Sequence, residues 1–384
     1  MTMMMHGAPV SPPQDPVIPR WWRTVDRWTL FAVVTLVVFG MLMGFASTPP
    51  LAAKNGLDNY FYIGRQAIFG CMAFSLMVIV SVLSPDNARR TGIVLFLLAL
   101  LGVLLLPFFG VNHGKGAVRW LSLPGLMTFH PSEFLKPGFV VVVAWLLALK
   151  DDAGKFPGTM ISLGLTVSIA TLLALQPDFG QAGLIIFAWG VIYFVAGASI
   201  LLLFALGAGT VLAGTVAFFT SSHFSSRILA FISDTPDPYS QIQFSLKAIQ
   251  AGGLFGVGLG KGEVKWVLAD SHTDLVMAVA AEEYGLIFVL LLLSLFAFIS
   301  IRALFVLRKE QDKFIRLAGT GLAAMFGIQA FINIGVTAKL LPAKGMTLPF
   351  ISYGGSSMIA VGLGLGMLLA YTRRRSNNQL GTKV

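Results

Sequence analysis

Ten apolar blocks divide this chain of 384 residues, at roughly 28–47, 61–83, 92–110, 134–149, 158–175, 180–197, 199–220, 274–303, 315–338 and 356–372. Each is long enough, or nearly so, for a helix to cross the ~30 Å hydrocarbon core of a bilayer. Only 11% of the residues are charged while 56% are hydrophobic, which excludes a soluble domain of this size. The first block is too long for the apolar part of a signal peptide and lacks a convincing A-x-A cleavage site. The sixth and seventh are parted only by Gly197-Ala198-Ser199. The expected fold is all-α: a polytopic membrane protein of about ten transmembrane helices. Cys71, the single cysteine, falls inside a block, which excludes a disulfide and suggests a small packing residue.

The chain then reads in three parts. Residues 1–27 form a disordered N-terminus ending in the basic, aromatic juxtamembrane segment Arg20-Trp21-Trp22-Arg23 through Arg27; residues 28–372 form the transmembrane domain; residues 373–384 form a basic tail. The formal net charge of +10 would suggest nucleic acid in a soluble protein, but here the basic residues flank the spans and set orientation. With ten spans, Arg20, Arg23, Arg27, Arg89, Arg90, Lys150, Lys155, Arg302, Arg308, Lys309, Lys313, Arg316 and Arg373–Arg375 share one side. That side is expected to be cytoplasmic, with both termini on it.

The opposite side carries the stretches near 48–60, 111–133, 176–179, 221–273 and 339–355, the fourth being a large extracytoplasmic loop between the seventh and eighth spans. These are rich in Gly, Pro, His, Asp and Ser, yet they retain Lys115, Arg119, Arg227, Lys247, Lys261, Lys265, Lys339 and Lys344. Positive charge on the outer face runs against the orientation rule and points to an anionic ligand.

Five constellations on that side bear chemistry. Arg119-Trp120 suits a phosphate at headgroup level, and Glu133 and Lys136 share a helix face at the start of the fourth span; an ion pair with an aromatic belt reads equally well. Asp178, in Gln176-Pro177-Asp178-Phe179-Gly180, is either a helix cap or a site residue. The glycine-rich run 252–262 fails both the Walker and the G-x-G-x-x-G patterns, leaving a backbone close to a ligand or a tight turn. His272-Thr273-Asp274 enters the eighth span, where burial would raise the Asp274 pKa and make it a better base. Asp270, His272 and Asp274 do not have zinc-ligand spacing, and Glu282-Glu283 lies about 12 Å further along the helix, which favours a structural role. Finally, Lys344 through Ser357 cannot continue a helix, and its end at a helix start beside Lys344 forms an anion site.

These loops resemble the SEDS family (shape, elongation, division and sporulation) over nearly the whole chain. Lys344–Ser357 resembles the family's K-G-[LM]-T-L-P-F-I-S-Y-G-G-S-S, Gly116–Trp120 its G-A-x-R-W, Pro131–Lys136 its P-S-E-x-x-K, Gln176–Gly180 its Q-P-D-x-G, His272–Asp274 its H-T-D and Glu282–Gly285 its E-E-x-G. Within the family the chain looks like the division-type branch of Gram-negative bacteria. The resemblance implies a peptidoglycan glycosyltransferase of the inner membrane that polymerises lipid II at the septum, with Asp274 catalytic. It also implies a class B penicillin-binding protein transpeptidase and other divisome membrane proteins as partners. Inverting an α-linked lipid diphosphate to a β-1,4 link needs one base and, with diphosphate leaving, cations in place of an acid. The residues we assign to substrate binding are Arg119, Trp120, Glu133, Lys136, Asp178, Lys265, His272, Thr273, Lys344, Ser352, Ser356 and Ser357. No metal ligand set is assigned, although a divalent cation, Mg or Mn, would assist at the diphosphate. The competing expectations are a lipid II flippase, an elongation-type polymerase and a non-catalytic scaffold. Distinctive residues clustered on one face favour an enzyme over an alternating pathway.

Overall fold

The computed structural model describes residues 16–112, 118–122, 128–152, 156–197, 199–232, 240–342 and 345–374. The chain enters through a short amphipathic helix, α1 (Val17–Thr24), and continues into α2 (Arg27–Ser47), a single turn and a half of α3 (Pro49–Lys54), α4 (Phe61–Val82) and α5 (Pro85–Phe109). Two short antiparallel strands, β1 (Gly110–Asn112) and β2 (Val118–Leu121), lead to α6 (Pro131–Asp152), α7 (Gly158–Leu175), α8 (Phe179–Val195) and α9 (Ile200–Thr220). After α10 (Ser222–Ile232) and α11 (Gln241–Gly252) come α12 (Val276–Leu307), α13 (Lys313–Thr337) and α14 (Gly355–Thr372). Among the described residues nine helices are long and apolar enough to cross a membrane, and α8 is a tenth, shorter apolar helix. Their bounds fall close to the expected blocks.

The helices are not equivalent. Most of α6, α13 and α14 is buried inside the bundle, 78, 67 and 72% of their apolar windows, whereas none of α9 is. Polar residues carried by the first three therefore have no lipid to face and must find each other. Close packing of α14 on α4 needs a missing side chain: a Cβ on Gly362 would lie 2.4 Å from the Ala73 carbonyl oxygen.

The stretch 221–273 between the seventh and eighth spans carries two helices of its own, α10 and α11, and α11 packs mainly against α12. One expectation is corrected. Cys71 is exposed on α4 rather than packed inside. Residues 1–15 and 375–384, expected to be a disordered tail and a basic tail, lie outside the described residues, as do Lys115, Lys155 and Lys344.

The two ends of the described residues meet at one end of the bundle. The Arg374 N–H donates to the Thr24 carbonyl at 2.9 Å, and Arg302 of α12 forms a two-pronged pair with Asp26 at 2.6 and 2.7 Å. Burial would push the Asp26 carboxyl up, but the hydrogen bonds from Arg302 and Thr29 hold it below the usual range. Trp21 of α1 donates its indole N–H to the Ser81 hydroxyl at 2.9 Å, so the juxtamembrane helix is docked on α4.

At the other end α12 is broken. Gly285 has φ 83° and ψ 176°, which interrupts the helical ladder in mid-segment. The glycine-rich run repairs it: Val257 and Gly258 donate to the Glu282 and Glu283 carbonyls at 2.9 and 3.1 Å, while Leu286 and Ile287 donate to Gly253 and Leu254 at 3.0 and 3.3 Å. Gly256 (φ 83°) makes the approach possible, since a Cβ there would sit 2.2 Å from the Glu283 oxygen. The run is thus neither a ligand loop nor a plain turn but a backbone plug. The Glu pair completes it. Glu282 accepts from the N–H groups of Glu263 and Val264, both at 2.8 Å, and Glu283 takes the Lys265 ammonium at 2.5 Å and the Gly260 N–H at 3.1 Å.

Candidate active site

Three buried helices meet at Glu133. Pro131 opens α6, and in the same first turn the Glu133 carboxylate accepts from Lys136 Nζ at 2.8 Å, from Gln181 Nε2 of α8 at 2.8 Å and from the Ser357 hydroxyl of α14 at 3.1 Å. Lys136 also reaches Gln329 Oε1 of α13 at 3.1 Å; Gln329 in turn donates to the Thr347 carbonyl at 3.0 Å, and the Thr347 and Ser357 hydroxyls lie 2.6 Å apart. Glu133, Lys136 and Ser357 are all buried. Charge this deep is stable only when paired and hydrogen-bonded on several sides. The expected ion pair of α6 is therefore present, and the network ties α6, α8, α13 and α14 together under the polar surface. Ser356, in the first turn of α14, is buried beside it.

Above this floor the β1–β2 pair and the isolated bridge Leu121↔Phe129 hold Arg119 and Trp120 over the start of α6. Arg119 donates to the Gln176 carbonyl at 3.3 Å and to the Pro177 carbonyl, and its guanidinium lies 3.9 Å from Asp178. Asp178 precedes α8 without capping it; its carboxylate instead faces Arg119 and, at 4.0 Å, His130. His130 hydrogen-bonds Ser132 at 2.7 Å and stacks edge-on to Trp120 at 5.2 Å. Burial pushes the His130 pKa down and outweighs the attraction of Asp178 and Glu133. From α10, Phe224 packs on Phe179 at 4.7 Å, which brings the same helix face, one turn on, to the Asp178 end of α8. The Arg227 guanidinium there feels the charges of Arg119, Asp178 and Asp274; burial first, then repulsion from Arg119, lowers its pKa.

Asp274 sits in the turn just before α12, half-buried and next to Gly345, where a Cβ would be 3.2 Å from its Oδ2. The segment carrying it is strapped to the run 345–353 at three points. Asn333 of α13 donates to both the Asp274 carbonyl at 2.9 Å and the Met346 carbonyl at 2.6 Å. Ser352 donates to the Thr273 carbonyl at 2.5 Å and accepts from the Leu348 N–H at 2.8 Å, and the Tyr353 N–H donates to the His272 carbonyl at 2.8 Å. Ser352 and Thr273 thereby position the turn.

The structure brings Arg119, Trp120, His272, Thr273 and Asp274, all partly exposed, to one end of the bundle, with Asp178, Ser352, Glu133, Lys136, Ser356 and Ser357 buried beneath or beside them. It does not leave Lys265 for an anion, because that ammonium is buried against Glu283. Lys344 adjoins Gly345 but lies outside the described residues. His130, Gln181, Gln329 and Asn333 join the arrangement without having been singled out from the sequence. The last three are lone polar residues inside apolar helices, which is itself a signal of a buried network. Among the described residues no three carboxylate, histidine or cysteine side chains converge as metal ligands.

A helical membrane protein with a strapped carboxylate beside cations at one end of the bundle is a distinctive class. The comparisons place it. The chain belongs to the FtsW/RodA/SpoVE family of cell cycle proteins, whose model matches residues 27–377. It is 45% identical over 357 residues to a probable peptidoglycan glycosyltransferase FtsW of Caulobacter vibrioides, covering 92% of this chain and 91% of that one. A protein of the same description from Geobacter sulfurreducens is 33% identical over 363 residues, covering 91 and 95%. Of solved structures, a chain of a peptidoglycan synthase complex described as coordinating polymerization and crosslinking superposes with a TM-score of 0.74 at 28% identity, over 91 and 97% of the two chains. The rod shape determining protein RodA of Thermus thermophilus gives 0.65 at 28% identity, over the same shares.

Proposed function

We propose that the chain is a division-type peptidoglycan glycosyltransferase that polymerises lipid II, with the Asp274 end of the bundle facing outward across the inner membrane. The observation that carries this reading is the placing of Asp274. The Glu133, Glu282 and Glu283 side chains are buried, whereas Asp274 is only half-buried and lies within the field of Arg227. Asp274 takes the proton of the acceptor 4-hydroxyl as that oxygen attacks the anomeric carbon of the donor. The bond to undecaprenyl diphosphate breaks in the same displacement, with inversion. The developing phosphate charge is met by Arg119 and Arg227. A general base supplies about 10²–10⁴-fold, or roughly 3–5 kcal/mol of barrier.

The site serves two lipid-anchored substrates, which accounts for its place at the end of the spans. Polymerisation in the synthase complex is coordinated with crosslinking, and a class B penicillin-binding protein transpeptidase at the septum is the partner such coordination requires of this chain. The test is lipid II polymerisation by the reconstituted chain and that partner. Asp274→Asn is expected to abolish glycan synthesis while membrane insertion and partner binding persist. Normal polymerisation by that variant would refute the assignment.

A further inference from the structure

The reaction needs two headgroups at Asp274, and the cations Arg119 and Arg227 serve only the one that loses its diphosphate. A second cluster adjoins the same turn through the other end of the 345–353 run. The Tyr353 N–H holds the His272 carbonyl, and the two rings lie 6.1 Å apart. Tyr62, in the first turn of α4, meets Tyr353 edge to face at 5.4 Å and receives a 2.7 Å hydrogen bond from Asn55 on its hydroxyl. Phe61 packs edge-on to Tyr62 at 5.2 Å, and the Arg65 guanidinium lies 5.2 Å over the Phe61 ring, where its charge also acts on the Tyr353 phenol. Arg65 is exposed, and Phe61 is 42% exposed.

Rings that merely anchor a helix at the interface face the headgroups singly. These four pack on one another around a guanidinium and against the segment that carries the catalytic carboxylate. Aromatic faces bind the C–H faces of a pyranose, while an arginine fork takes a carboxylate in two-pronged fashion. Neither suits an isoprenoid diphosphate better than the cationic side does.

We propose that Tyr62, Tyr353, His272 and Arg65 form the acceptor subsite, holding the sugar whose hydroxyl is deprotonated and, at Arg65, a carboxylate of the same acceptor. The proposal rests on the glycosyltransferase reading above. During elongation lipid II is the acceptor and the growing strand the donor, so the two sides of the turn separate kinetically. With the reconstituted chain and its partner, Arg65→Gln and Tyr62→Leu are expected to raise the half-saturating lipid II concentration at least fivefold. At saturating lipid II the rate and strand length return to within twofold of the unaltered chain, and Arg65→Lys restores part of the loss. Arg227→Gln instead shortens strands at every lipid II concentration. An unchanged half-saturating concentration, or a fall confined to the saturating rate, overturns the acceptor subsite. Asp274→Asn, assayed in parallel, reports on the base alone: its inactivity leaves the reaction assigned whatever Arg65 shows, and its activity refutes the base whatever Arg65 shows.

Discussion

Replacing Glu133 by Gln is the sharpest probe of what the α6 ion pair does. The carboxylate now holds Lys136, Gln181 and Ser357 within 3.1 Å. Without its charge, Lys136, only 3% exposed, keeps neutral acceptors in Gln329 and the new amide oxygen but loses the carboxylate it is paired with. Removing one member of a buried pair leaves an uncompensated charge and costs about 3–5 kcal/mol. Removing both charges, as in Glu133→Gln with Lys136→Met, eliminates that penalty, so the double variant is expected to be more stable than Glu133→Gln alone. The coupling between the sites should be about 1–3 kcal/mol, the range for contacting residues. Thermal midpoints of the purified chain in detergent give the order, and lipid II polymerisation gives activity. If the two substitutions are additive, the pair does not hold the floor of the site and the reasoning fails. If the double variant regains stability but stays inactive, Lys136 acts on the substrate as well, as the sequence led us to expect.

Two further outcomes follow from other parts of the fold. Gly256→Ala places a Cβ 2.2 Å from the Glu283 oxygen at φ 83° and threatens the four plug hydrogen bonds, each worth about 0.5–1.5 kcal/mol; Gly260→Ala, at φ 75° with nothing within 4 Å, incurs only the backbone strain of about 1–3 kcal/mol. The first should lower the thermal midpoint far more than the second, and equal losses would refute the plug. His130 has its pKa lowered from 6.5, chiefly by burial, so below about pH 6.5 the unfolded chain binds the extra proton and the folded one does not. Its contribution is complete above that pH and declines by up to about 1.4 kcal/mol per unit as pH falls through 6.5 towards the depressed folded value; His130→Gln should flatten this part of the thermal midpoint against pH, and an unchanged slope would count against the burial argument.

The spans were legible because hydrocarbon leaves the sequence little choice: α2, α7 and α14 begin and end within a residue of their apolar blocks. Length could not show which helices are central. Gln181, Gln329 and Asn333 could have, since each is a polar interruption on a helix that turns out to be enclosed. The break in α12 was hidden because the glycine of the E-E-x-G motif does not itself show a helix break, and the segment that pairs with it, Gly253–Gly258, lies far upstream in a stretch with no periodicity. Lys265 was misjudged for the same reason. Its place beside a polar turn marked it as a surface cation, but the plug folds it inward onto Glu283. Arg227 was visible as an outer cation, yet only the packing of Phe224 on Phe179 brings it to Asp178.

These features bear on how a membrane helix can hold a reacting group still. The part of α12 from Val276 to Glu283 is wholly buried, while Leu286 and Ile287, just past the break, are 40 and 52% exposed. The break therefore separates a short enclosed stub from a long segment that meets lipid. The stub is fastened at its head by Asn333, Ser352 and Tyr353, and at its foot by the plug and the Lys265–Glu283 pair. A carboxylate carried on an unbroken 32-residue helix would move with every tilt of that helix in the bilayer. Carried on the stub, it moves with α13 and the 345–353 run, the elements that also line the substrate side. Positioning to within a fraction of an ångström is what a single base without a partner acid demands, and the broken helix supplies it without depending on the lipid.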